Sequence, residues 1–334
     1  MDLLTQGVLG AALAQAGSKQ TETRLAAGIG FAAGLLADAD ALIRSANDSL
    51  LTIEYHRHFT HSIFFIPIGA LIAALILWPL LRKRISFKRL YIFSLLGYSF
   101  SGFIDACTSY GTHLLWPLSD ERISFNLISI VDPIFTIPLL IAVVLAYRWR
   151  KSQLALFGLI FCALYLSVGY VQKQRATTEV QQLAMQRGHT LNQLLVKPTF
   201  ANILVWRSVY ESGGRLYVDA LRMGGQGKVY MGDSILKYDI DRDNPNLAKD
   251  SVLYADMQRF NFFSDGYLAK HPAKENVLAD IRYSIQPNGL LPLWVIEFNP
   301  EQPQQHVKFK ANRDLASRNR QRFKSMLLGE ELVE

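Results

Sequence analysis

Ionisable side chains stand in or beside the apolar stretches of the first half of this chain: Asp38, Asp40, His56, His58, His61, Asp105 and Asp132. Placing a carboxylate or an imidazole in such surroundings is costly, so these residues are functional candidates by default. Their types are hard oxygen and borderline nitrogen donors, the set that binds Zn²⁺ or another divalent ion. A divalent ion would also offset the repulsion among gathered carboxylates. The densest stretch is His56-Arg57-His58-Phe59-Thr60-His61-Ser62. Its histidines lack the i, i+4 spacing of a helical zinc motif. On one helix His58 and His61 would share a face and His56 would not, so His56 is expected in a turn and His61 at the start of a span. Asp38 and Asp40, two apart, point in different directions, so one is expected to bind metal and the other to orient a ligand. Each group also has a plainer reading. A histidine can be a hydrogen-bonded structural residue at a helix start, the Asp pair can face interfacial water at a helix end, and Asp105 can be a cap. Asp132, followed by Pro133, reads best as a helix N-cap. His113 and His189 stand apart from the group.

The elements that must carry these residues are apolar. Ser62–Leu81 is free of charge for about twenty residues, enough to cross a hydrocarbon core of about 30 Å. Leu90–Cys107 is apolar with Asp105 at its end, Ile123–Tyr147 carries Asp132 ahead of a Leu/Ile/Val run, and Gln153–Val171 is again free of charge. Pro67, Pro79 and Pro138 do not exclude helices, because neighbours in a membrane re-satisfy the backbone. Leu3–Ser18, about 24 Å long as a helix, and Leu25–Ile43 are expected to pack on the other four, spanning or re-entrant. Small residues at helical spacing, Gly7 with Ala11 and Gly30 with Gly34, permit close approach.

Basic clusters orient the set. Arg82, Lys83, Arg84, Lys88 and Arg89 form one, and Arg148, Arg150 and Lys151 another. The excess of Lys and Arg in cytoplasmic loops puts both inside. Threaded from there, the C-terminal half lies outside the cytoplasm. If all six segments cross, Asp38, Asp40, the three histidines, Asp105 and Asp132 gather on the outer side. The net charge of +7 is concentrated in these flanks, so nucleic acid is not an expected partner. Cys107 and Cys162 read as buried thiols rather than a disulfide framework. No cleavable signal peptide is evident at the N-terminus.

Composition changes near residue 175 from strongly apolar to that of an ordinary soluble domain. The expected fold is a multi-pass α-helical membrane domain over residues 1–175, carrying the metal site, followed by a soluble extracytoplasmic α+β domain over 176–334. Lys173–Gly188 is expected to leave the membrane as a helix. Ile203–Tyr210, Arg215–Leu221, Val229–Gly232, Ile281–Ile285 and Leu293–Phe298 read as strands, with Gly213-Gly214 and Gly224-Gly225 at hairpin turns. Leu247–Phe263, Ala273–Leu278 and the basic tail Asn312–Lys324 read as helices.

Ala37-Asp38-Ala39-Asp40, then His56-Arg57 with Thr60-His61-Ser62, then Asp105 with Thr108-Ser109-Tyr110-Gly111-Thr112, resemble the three ordered motifs of the membrane-bound metal-dependent hydrolase family, the YdjM-like proteins. The resemblance implies a metal site of Asp38, Asp40, His56, His61 and Asp105. Relatives often carry Thr-His near the N-terminus where this chain has Thr5-Gln6, so that ligand is lost here or replaced by His58, which occupies the place of the usual glycine. The expected function is a metal-dependent hydrolase, zinc the favoured ion, in the inner membrane and acting at its extracytoplasmic face on a lipid or lipid-linked phosphoester or ester. The expected roles are Asp40 or Asp38 as general base and Arg57 as anion stabiliser, with Thr60 and Thr108 joining them in the catalytic set. The alternative from another class is a transporter or scaffold whose polar cluster binds an ion. The sequence does not fix the oligomeric state.

Overall fold

The computed structural model describes residues 1–225, 227–312 and 317–332 of the chain. It divides into two compact units. One comprises Met1–Ile43, Tyr55–Val171 and Phe200–Asn202, and the other Arg44–Glu54, Gln172–Thr199 and Ile203–Glu334.

The first unit is helical. α1 (Leu3–Ala16) starts at Asp2, whose side chain accepts from Thr5 N, and α2 (Thr23–Leu36) packs along it. A four-residue turn of helix, α3 (Leu51–Glu54), belongs to the second unit. α4 (Ile66–Leu81), α5 (Phe87–Tyr98), α6 (Ser101–Ala106) and α7 (Pro133–Trp149) follow. α8 (Ser152–Gln186) runs on across the boundary between the units.

Glycines set the spacing of the helices. A Cβ on Gly10 would land on the Gly30 carbonyl, one on Gly97 would lie 2.6 Å from Gly30 Cα, and one on Gly34 would lie 2.6 Å from the Gln6 carbonyl oxygen. α1, α2 and α5 therefore meet backbone to backbone, which is how helices associate when lipid removes the hydrophobic drive between them. α4 has the matching inversion. Gly69, Ala70, Ala73 and Ala74 are buried, while Ile68, Leu71, Ile72, Leu75 and Ile76 are exposed. Large aliphatics outside and small residues inside suit a helix whose outer face meets lipid.

Two helical stretches, Thr23–Leu42 and Ser152–Gln186, are long and apolar enough to cross a membrane. Leu51–His61 with Ile66–Leu81 makes a third if the 92° bend between them falls within one span. Leu3–Ala16 and Pro133–Trp149 are apolar but shorter. Two stretches expected from sequence as single spans are interrupted. Leu90–Cys107 breaks at Ser99-Phe100 into α5 and α6. Of Ile123–Tyr147 only the part from Pro133 is helical, because Asp132 caps α7 by accepting from Ile134 N and Phe135 N. The preceding segment is irregular, and its backbone finds partners such as Phe125 N to the Ala106 carbonyl and Leu127 N to the Cys107 carbonyl. Both cysteines are free and buried.

The second unit holds two four-stranded antiparallel sheets. The first, in order, is β1 (Gln193–Pro198), β2 (Val205–Ser212), β3 (Arg215–Arg222) and β4 (Lys228–Leu236). Gly213 and Gly214, at φ 56° and 73°, make the two-residue β2–β3 turn, a conformation for which glycine is the natural residue. After the short α9 (Ile240–Asp243) and α10 (Val252–Phe263) comes the second sheet: β5 (Leu268–Lys270), β6 (Val277–Asp280), β7 (Trp294–Glu297) and β8 (Lys308–Ala311). Val209, Leu216 and Val218 from the first sheet share a core with Ala269, Val277, Ala279 and Val295 from the second. α11 (Ser317–Leu328) is the last element described, and Arg313–Ala316 of the expected tail helix lie outside the described residues.

Two expectations fail here. Ala273–Leu278 is not a helix. Asn276, at φ 54°, ends a loop, and the next four residues pair with β5 and β7. Ile281–Ile285 is not a strand. Only an isolated bridge, Ser284 to Pro292, forms there.

Candidate metal centre

α2 tightens after Leu36 into a 3₁₀ turn, Ala37–Leu42, that buries both Asp38 and Asp40. Arg57 takes the left-handed conformation, φ 61°, which reverses the chain between His56 and His58. The 3₁₀ turn Phe59–His61 then delivers His61 ahead of α4. α6 brings the third element. A Cβ on Gly102 would land on the His61 carbonyl, and Asp105 follows one helical turn later. The break between α5 and α6 therefore has a use: it lets α6 run against the backbone that carries His61.

The imidazole of His61 lies among three carboxylates. Its Nε2 is 2.9 Å from Asp105 Oδ2 and 3.4 Å from Asp38 Oδ1, and its Nδ1 is 3.2 Å from Asp40 Oδ2. All four side chains are nearly or fully withdrawn from solvent. The hydrogen-bond network assigns the tautomer. Thr60 Oγ1 donates to Asp40 Oδ2 at 2.8 Å, so at 3.0 Å from His61 Nδ1 it can only accept. Nδ1 therefore carries a proton, and in the neutral ring the Nε2 lone pair faces Asp38 and Asp105. His61 Nε2, both Asp38 oxygens and Asp105 Oδ2 make no well-aligned hydrogen bond. In that form a lone pair opposite two buried carboxylates is repulsive, and a shared cation would relieve it.

One ligand atom from each of Asp38, His61 and Asp105 falls within 4.8 Å of the others. An imidazole with two carboxylates is a donor set that suits Zn²⁺. These residues therefore fit a divalent ion.

Asp40 and His56 stand one step outside this trio. Asp40 Oδ2 accepts from Arg57 N at 2.7 Å and from Thr60, and Oδ1 lies 3.3 Å from His56 Nδ1. A carboxylate behind a ligating imidazole fixes its ring and raises its basicity. Arg57, 2% exposed, reaches Asp105 Oδ2 through Nε at 3.1 Å and donates through Nη1 to Thr108 Oγ1 at 2.8 Å. Thr108 in turn donates to the Asp105 carbonyl. The amino group of Met1 also lies against Asp105 Oδ1. Gln6 is buried, with Nε2 on the Ser101 carbonyl at 3.3 Å. Asp132 takes no part in the cluster. It caps α7 and accepts from the Tyr165 hydroxyl. His58 is grouped instead with His113 and Asp120, and the spacing of the motifs gave His113 no prominence.

Residues 1–176, more than half of the 334, match the family of YdjM inner membrane proteins. The chain belongs to this family. The YdjM match spans Asp38, His61 and Asp105 together with Asp40, His56 and Arg57. The protein YfhP of Bacillus subtilis (strain 168), described as uncharacterized, is 25% identical over 187 residues. That alignment covers 54% of this chain and 54% of YfhP, so the chain spans about half the length of this relative. No solved structure matches the chain.

The close approach of α6 makes a first prediction. Gly102→Val places three carbons where the His61 carbonyl stands, so α6 must withdraw and carry Asp105 with it. The helices themselves should survive. The expected result is at least a tenfold fall in affinity for Zn²⁺ with helical circular dichroism within a tenth of the parent. Unchanged affinity would mean that α6 does not set the position of Asp105.

Proposed function

We propose that this member of the YdjM family is a membrane-bound, metal-dependent hydrolase, with its helical part embedded in the inner membrane and its metal site opening to the extracytoplasmic side. The observation that carries the reading is His61 Nε2 turned toward Asp38 and Asp105, all three side chains buried and Nε2, both Asp38 oxygens and Asp105 Oδ2 without a well-aligned hydrogen bond. Asp38, His61 and Asp105 would hold the ion, with zinc the favoured identity. When bound, it supplies Lewis acidity and a water acidic enough to ionise near neutral pH. Asp40 holds His61 in its tautomer and is the proposed proton acceptor, with His56 against its other oxygen as the way out for the proton. Arg57, pinned by Thr108 and stacked 5.0 Å from the Tyr110 ring centroid, offers a fixed positive charge to an anion developing beside Asp105. Thr60 fixes Asp40. The bilayer setting and the guanidinium favour a phosphoester or ester of a lipid or lipid-linked molecule as substrate. The basic loops Arg82–Arg89 and Arg148–Lys151 favour this orientation, with residues 176–334 outside the cytoplasm.

A second reading draws on the 92° break between Leu51–His61 and Ile66–Leu81. Discontinuous helices are the usual carriers of ion sites in transporters, so an ion-binding membrane protein without turnover is the competing reading. The test uses the full chain in detergent micelles, stripped with a chelator and reloaded with Zn²⁺, against a panel of phosphoester and ester lipids. We expect zinc-dependent hydrolysis by the parent, and loss of both bound zinc and turnover in His61→Ala. Stoichiometric zinc without turnover on any substrate would favour the second reading. Zinc retained by His61→Ala would end the ligand assignment.

A further inference from the structure

A second group of ligating side chains lies in the same unit, outside the trio already described. His58, His113 and Asp120 offer ligand atoms that all fall within 4.8 Å of one another. The two imidazole rings are 4.5 Å apart between centroids and tilted by 44°. Aromatic rings wall the group: Tyr55 at 5.5 Å and Trp116 at 5.6 Å from His58. His113 is 5% exposed, and its Nδ1 is a buried atom with no hydrogen-bond partner. The ring does hydrogen-bond the main chain at Asp120. With Nδ1 unpartnered, that bond uses Nε2, and the donation sets the tautomer that leaves a lone pair on Nδ1. An imidazole whose second nitrogen is fixed by a main-chain hydrogen bond is the usual arrangement of a metal-ligating histidine.

We propose that His58, His113 and Asp120 form a second divalent-ion site, of the borderline class that takes Zn²⁺, Co²⁺ or Ni²⁺. Two imidazoles and one exposed carboxylate leave coordination positions for water, so the site is weaker and more open than the first. Its place suggests its purpose. His113 N donates to the Arg57 carbonyl at 3.1 Å, and Arg57 carries its guanidinium to Asp105. An ion joining His58 to His113 would clip the His56–His61 stretch to the loop after α6, on either side of the left-handed Arg57. The second site would then hold the backbone that presents Arg57 and His61, without sharing a ligand with the first.

Cobalt is the probe, because its visible spectrum reports nitrogen and oxygen ligands site by site. The full chain, in detergent and stripped of metal, is titrated with Co²⁺, and bound metal is counted by mass spectrometry. We expect two equivalents in the parent, the weaker removed by His113→Gln or by His58→Gln. We expect His61→Ala to lose the tighter equivalent and keep the weaker. Thermal melting in detergent identifies any variant that has unfolded, and the two single Gln variants give independent readings. A parent that binds one equivalent, lost in His61→Ala and retained in both Gln variants, overturns the second site and leaves the first. A single equivalent lost in the Gln variants and retained in His61→Ala supports the second site and overturns the first. Two equivalents that persist in both Gln variants also overturn the second site.

Discussion

Asp105→Ala should lose bound metal and at the same time lower the stability of the helical unit by about 3–5 kcal/mol. Asp105 is fully buried at the meeting point of His61 Nε2 and Arg57 Nε. Arg57 is 2% exposed and has a guanidinium that stays charged at any working pH. Removing the carboxylate leaves that charge in a site closed to water, which is the costly way to break a buried pair. The cavity left by the side chain adds to the loss, because Gly102 holds α6 too close to the His61 backbone for easy collapse. Asp105→Asn separates the two effects. It keeps the volume and one acceptor oxygen, so it should restore part of the stability while metal affinity stays at least about a hundredfold below the parent. Thermal unfolding in detergent and metal counting on the same preparations check both parts. An Asp105→Ala chain that melts with the parent would mean that Arg57 is not held by this carboxylate.

The donors of the site were legible in the sequence because each has a cost there. An Asp or His inside an apolar run demands a partner, and that demand picked out Asp38, Asp40, His61 and Asp105 before any geometry. Sequence left open which of Asp38 and Asp40 would be ligand and which support. The proposed division rests on the proton at His61 Nδ1, which follows from Thr60 donating to Asp40. His113 stayed in the background because it stands apart from the cluster His56–His61 in sequence, beyond the Asp105–Thr112 motif. Only the fold of the loop, with its Thr112 to Ile123 bridge, brings it to His58. One helix break had a local sign: Gly97, Ser99, Ser101 and Gly102 crowd the place where Leu90–Cys107 is interrupted. What the break accommodates, the approach of Gly102 to the His61 backbone, is a tertiary contact. In the second unit the glycine pair at 213–214 announced its turn through conformational demand alone, whereas Val277–Asp280 became a strand because β5 and β7 flank it. Short segments of mixed propensity are decided by such neighbours.

The second large effect is expected in the sheet-containing unit, from Asp280→Ala. Asp280, fully buried at the end of β6, accepts from Arg282 N at 3.0 Å and from the guanidinium at 2.8 and 3.0 Å. Two further buried basic side chains surround the pair. Lys197 lies with Nζ 3.2 Å above the Tyr283 ring centroid, and Arg207 donates to the carbonyls of Ile281, Pro287 and Gly289. Burial first, then the charges of Arg207 and Arg282, drives the Lys197 ammonium well below its ordinary range, and Asp280 opposes that shift. Arg282 is held above its usual range, because Asp280 and then Asp265 outweigh the effect of burial. Asp265 is half exposed and bonds only one edge of Arg282, so it cannot replace Asp280. One buried carboxylate therefore serves two buried guanidinium groups and the Lys197 amine, and its loss should lower the stability of this unit by about 3–5 kcal/mol. Urea denaturation of the full chain, followed by the fluorescence of Trp206 and Trp294, should show the lowered midpoint. Lys197 adds a pH test. Its folded pKa lies below its unfolded value of about 10.4, so the unfolded chain binds more protons between the two, and stability should rise as pH rises through that window. Lys197→Met should flatten that rise. A rise that persists unchanged in Lys197→Met would assign it to another group. A midpoint unmoved by Asp280→Ala would mean that carbonyls and Asp265 hold the three basic side chains unaided.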